Sequence, residues 1–72
     1  MKLKEIEKWA FCKGIVSGEY WVAADKDLKL YVYDSEPHTF HNIWTDGYTC
    51  MPTPSSYTGK KHWTKAIRKF TV

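Results

Sequence analysis

The sequence predicts a single α+β mini-domain over residues 1–72: a small antiparallel sheet of two hairpins with an N-terminal helix and a short C-terminal helix or helical turn. Three observations predict it. Apolar residues recur at helical spacing near the two ends, they alternate at strand spacing through the middle, and Asp46-Gly47 turn chemistry follows a strand-like run. A chain of 72 residues leaves room for one domain.

The N-terminal helix rests on Leu3, Ile6 and Ala10 at i, i+3 and i+7, with Trp9 beside them and Lys and Glu opposite. Gly14 is placed to end it, and Lys13 in its last turn suits the helix dipole. Such a short helix is held by packing rather than by propensity.

The first hairpin is read from "YWVAADKDLKLYVYDSEP". Strand alternation points Leu30 and Val32 to one face, and Lys29, Tyr31 and Tyr33 to the other. Its turn needs a residue at φ > 0, and Asp27 tolerates that conformation better than Leu28, so Asp27 is expected to hold it. That choice sets the register, which decides whether Val22 or Trp21 joins the aliphatic face.

A second hairpin is signalled by "HNIWTDGYTCM", where Asp46-Gly47 suits a two-residue type I′ turn. The turn would pair Thr45 with Tyr48, Trp44 with Thr49 and Ile43 with Cys50. "DSEPH" between the hairpins reads as a loop and "PTPSSYTG" as a surface linker. In "KKHWTKAIRKF", Trp63, Ala66, Ile67 and Phe70 fit a short closing helix; a helical turn followed by a terminal strand through Phe70 and Val72 competes with it.

Composition, with 43% hydrophobic against 26% charged residues, favours a folded core over disorder. A domain this small buries only about 60% of its unfolded surface, so its aromatics matter. The start has no continuous apolar signal-peptide core, and no run approaches membrane-spanning length. These features point to the cytoplasm, where Cys12 and Cys50 would be buried reduced thiols, with a disulfide between them as the alternative that so small a domain leaves open.

Charge is uneven: +2 over residues 1–13, −4 over 14–46 and +5 over 47–72. The basic end either pairs with the acidic middle or faces a partner. Lys60, Lys61, Lys65, Arg68 and Lys69, with Trp63 among them, have the mix of cations and ring that nucleic acid takes through phosphate contacts and base stacking. Trp63 also falls on the apolar stripe, which suits a core position.

His38 and His41 with Cys12 and Cys50 depart from the paired spacing of zinc sites, so no metal is expected. No nucleophile elbow, phosphate loop or carboxylate pair appears, so neither catalysis nor a cofactor is expected. The remaining constellation is aromatic. Tyr31 and Tyr33 share a strand face, and Trp44 and Tyr48 belong to the second hairpin. With both helices on one side of the sheet, this face would stand open as a protein-binding surface.

The pattern of Trp9-Ala10, "WVAADKD" leading to "LYVY", Ile43-Trp44, and Trp63 before Ile67-Arg68 resembles small phage and prophage accessory proteins. Such proteins usually carry glycine where Leu28 stands. The resemblance implies a non-enzymatic inhibitor or modulator of a host protein, a defence component among them, acting in the host cytoplasm. Nucleic-acid binding through the basic segment is the alternative, and sequestration of a nucleotide signal a third. No functional residue comes with the likeness, and the sequence fixes no oligomeric state.

Overall fold

The computed structural model describes residues 2–41, 43–45 and 50–72. Its elements are α1 (Leu3–Cys12), β1 (Glu19–Ala24), β2 (Lys29–Tyr33), β3 (His38–Phe40), β4 (Ile43–Thr45), β5 (Met51–Ser56), a 3₁₀ turn (Trp63–Lys65) and β6 (Ile67–Thr71). Four strands form an antiparallel sheet in the order β5-β2-β1-β6, while β3 and β4 form a separate two-stranded ribbon. The architecture is the expected α+β class.

α1 buries Ile6 and Ala10 and lays Leu3 and Trp9 against the sheet. Gly14 at φ 76 turns the chain out, and the N–H of Ile15 donates to the Ala10 carbonyl at 3.2 Å. That left-handed exit is cheap for glycine and costs other residues about 1–2 kcal/mol.

The first hairpin pairs Val22 with Val32, Ala24 with Leu30 and Trp21 with Tyr33. Directly paired residues share a face, so Val22 joins the aliphatic side and Trp21 the tyrosine side. The expectation for the turn is corrected: Leu28, not Asp27, stands at positive φ, at 69°. The Asp27 carboxylate instead accepts the Lys29 N–H at 3.0 Å, and the Leu28 N–H donates to the Asp25 carbonyl at 2.8 Å. The Leu28 carbonyl then receives the Tyr57 N–H at 2.7 Å. These bonds hold leucine where the turn geometry favours glycine.

One further segment departs from the sequence reading, and at another the second of two readings holds. "MPTPSS" is not part of a linker but an edge strand, paired through Tyr31–Pro52 and Val32–Met51. Proline is tolerated on an edge because its missing N–H need not face a neighbour. A register shift opposite Lys29 and Tyr31 brings in Thr53, whose hydroxyl donates to the Leu30 carbonyl at 2.9 Å. The chain's end is the helical turn followed by a strand, rather than a longer helix. Strand alternation then sends Phe70 to the helix side and Ile67 to the other.

The Asp46-Gly47 turn and its pairs with Tyr48 and Thr49 lie outside the described residues. Within them, the expected pairing of Ile43 with Cys50 is corrected: Ile43–Thr45 pairs with His38–Phe40, with Phe40 opposite Ile43 and Cys50 in no strand, and the chain turns through His41 at φ 57.

Two cores result, one on each side of the sheet. Under α1, Val22, Ala24, Leu30, Val32, Phe70, Ala66 and Tyr57 close around Ile6 and Ala10. On the other side Ala23, Tyr33 and Trp44 form a smaller cluster, flanked by Trp21, Tyr31, Trp63 and Ile67. Each large side chain so buried contributes about 1.5–3 kcal/mol.

Candidate binding surfaces

The expectation of an open tyrosine face is corrected. Tyr33 is 1% exposed and Trp44 8% exposed, both in the second core. Sequence reasoning counted helices as the only covers, whereas here the ribbon and the 3₁₀ turn cover this side. Trp44 fastens the ribbon. Its N–H donates to Asp25 Oδ1 at 2.9 Å, its indole Nε1–H to the Trp63 carbonyl at 3.2 Å, and its own carbonyl accepts the Tyr33 hydroxyl at 3.0 Å.

Tyr31 is half-buried, and Tyr48 lies outside the described residues. Burial, with smaller effects from Asp27, Asp25 and Cys50, raises the Tyr31 phenol above its ordinary value. Burial also raises the Asp25 carboxyl; the Trp44 N–H pulls it back down, and Asp27 pushes it up.

Four members of the basic segment meet at one cleft. Lys60, Lys61, Lys65 and Arg68 are all exposed and line one cleft of about 300 Å³, with Tyr57, Ala66 and Ile67. Among the described residues no carboxylate lines that cleft. Its geometry depends on Tyr57, whose hydroxyl accepts the Lys61 N–H at 3.1 Å. Gly59 lets the loop cross that ring, since a Cβ there would stand 2.5 Å from it. His62 caps the 3₁₀ turn, its Nδ1 accepting the Thr64 N–H at 3.4 Å.

Two expected members stand apart from the cleft. Trp63 is half-buried against the second core, which leaves only part of its ring open for stacking on a base. Lys69 projects from the opposite face of β6, 3.0 Å from Glu19 Oε2 and 5.4 Å from the centre of the Trp21 ring. Among the described residues this is the only ion pair, and it joins the basic end to the acidic middle through Lys69 alone.

Other features offer less chemistry. A groove of about 500 Å³ runs past Gly14, Ile15, Val16, Tyr20, Val32 and Met51. Phe11, Phe40 and Ile43 are exposed apolar side chains. Cys12 and Cys50 form no disulfide, and no three His, Cys, Asp or Glu residues gather into a metal site among the described residues. No helix among them is long and apolar enough to cross a membrane.

No protein-family model, curated protein or solved structure matches the chain.

Proposed function

We propose that this chain is a non-enzymatic binding module that engages an acidic surface of a partner protein through its C-terminal basic segment. The observation that carries the reading is the cleft of Lys60, Lys61, Lys65 and Arg68, four exposed cations without a carboxylate among them. Uncompensated like charges repel one another within a fold, so grouping them suits an anionic partner. A host protein is the partner in keeping with the phage accessory proteins the chain resembles, and the host cytoplasm is the setting. The surface differs from the tyrosine face that the sequence suggests, because Tyr33 and Trp44 are spent on the core.

Nucleic acid is the second reading, favoured by the same cations. It would contact phosphates with only partial base stacking at Trp63, and so bind with little sequence preference.

The test is capture from a bacterial host lysate on immobilised protein, with and without nuclease and at low and high salt. The variant is Lys60→Glu, Lys61→Glu, Lys65→Glu, all at exposed positions. A protein retained after nuclease and lost with the variant supports the first reading. Retention that vanishes with nuclease supports the second, with affinity falling steeply in salt. Identical capture by variant and wild type overturns both.

A further inference from the structure

We infer that the outer edge of β6 is a docking edge, on which an extended acidic segment of a partner protein adds to the sheet as a fifth strand. This rests on the protein-binding reading above and specifies how the partner is held.

The hydrogen-bond alternation of the β1–β6 ladder locates the free groups. Gly18 and Val72 exchange both main-chain bonds, at 3.2 and 2.9 Å, and the Ala24 N–H donates to the Ala66 carbonyl at 3.0 Å. The pairs between follow the register Glu19–Thr71 to Ala23–Ile67. In an antiparallel ladder, bonded and non-bonded pairs alternate. Arg68 and Phe70 therefore turn their N–H and C=O groups inward to β1, and Ile67, Lys69 and Thr71 turn theirs outward. β6 is the end strand of the sheet, and among the described residues these outward groups have no partner. An unpaired row of this kind is a template for another strand.

The opposite edge does not offer the same template. β5 carries Pro52 and Pro54, which lack N–H donors, and its register is broken.

Charge selects the occupant. Two copies pairing symmetrically through β6 in the registers centred on Arg68 or Lys69 would set like charges directly opposite, which is destabilising, and an acidic strand meets no such opposition in any register. An acidic strand meets the reverse situation. Acidic side chains at alternate positions share one face, beside Arg68 and near the cations of the cleft. The side chains between them fall on the face that carries Ile67, Lys69 and Thr71. A nucleic-acid backbone has no use for a ladder of alternating donors and acceptors.

The probe is a capped nine-residue peptide alternating Glu and Val, added to the whole protein. Binding is followed by calorimetry, and main-chain exposure by amide hydrogen exchange. The amides of Ile67, Lys69 and Thr71 are expected to slow on addition, and a Lys-Val peptide is expected not to bind. Thr71→Pro deletes one outward donor without changing charge, and is expected to weaken binding about tenfold, the scale of one lost hydrogen bond. Thr71→Val keeps that donor and is expected to match wild type. The exchange measurement on wild type stands even where Thr71→Pro perturbs the fold. No binding of the Glu-Val peptide, or binding without slowing of those three amides, overturns the inference. So does their slowing by duplex DNA alone, or in concentrated free protein as it dimerises. Peptide binding that is lost with the Lys60, Lys61, Lys65 charge reversal but indifferent to Thr71→Pro overturns the strand addition and leaves the basic surface standing.

Discussion

Truncating Trp44 is expected to remove the cover from the second core. The side chain is 8% exposed and sits with Ala23 at 0% and Tyr33 at 1%, so Trp44→Ala opens a space that neighbours fill only partly. Losses of this kind cost about 3–5 kcal/mol. At ~0.05–0.15 kcal/mol per residue the whole domain holds about 4–11 kcal/mol, so the change takes a large share of it. Trp44→Phe isolates one component. It keeps a ring but deletes the indole donor to the Trp63 carbonyl, and is expected to cost about 1 kcal/mol from the lost bond plus a smaller packing loss. Urea unfolding followed by far-ultraviolet circular dichroism avoids the confusion of removing a fluorophore. With a slope of about 1 kcal/mol/M, Trp44→Ala should lower the midpoint by about 3 M or leave the protein unfolded in water. Phe40→Ser and Ile43→Ser, at exposed positions of the same ribbon, should stay within about 0.5 kcal/mol of wild type. A Trp44→Ala midpoint within 1 M of wild type, a change of about 1 kcal/mol, would refute the ribbon as a core element and reopen the tyrosine face as a surface.

Three further outcomes are expected. Gly59→Ala should lower thermal stability by about 1–3 kcal/mol, because its Cβ would press on the Tyr57 ring at 2.5 Å; an unchanged melting temperature would contradict that contact. Leu28→Gly should stabilise by up to about 1 kcal/mol in urea titration, since φ 69 strains leucine and the side chain is 45% exposed; loss of stability would mean that its contacts outweigh the strain. Asp25 binds its proton more tightly folded than unfolded, so its contribution to stability falls as pH rises from the ordinary value of 3.8 through the raised one. Melting temperatures across that interval should show the decline reduced in Asp25→Asn, and identical pH profiles for the two proteins would refute the shift.

How far the sequence disclosed this molecule depended on whether the controlling interaction was local. α1 and the first hairpin follow periodicities of a few residues, and Ile6, Ala10, Leu30 and Val32 landed where those periodicities put them. Leu28 departs from the local expectation, and one of the bonds that hold it comes from Tyr57, 29 positions along the chain. Local propensity favoured Asp27, and tertiary bonding overrode it. β5 was hidden for a related reason. Pro52 and Pro54 argue against a strand in isolation, and only an edge position excuses them. The clustering of Lys60, Lys61, Lys65 and Arg68 was legible as composition. That Lys69 leaves the group for Glu19 was not, because it requires the final segment to be a strand. Tyr33 and Trp44 were read as surface for want of a visible cover, since a three-residue strand such as β3 leaves little trace in a sequence.

The prolines of β5 bear on what this chain can build. Growth of a fibre by repeated strand addition needs every subunit to offer two complementary ends. Here one end of the sheet lacks donors at Pro52 and Pro54, and the other opposes like charges when it meets its own kind centred on Arg68 or Lys69. Under the proposed strand addition the sheet would be a terminator, lengthened by a foreign strand once, with little to pass on at the far side. A complex made that way would have fixed one-to-one stoichiometry at any concentration, and the free protein would resist edge-to-edge polymerisation.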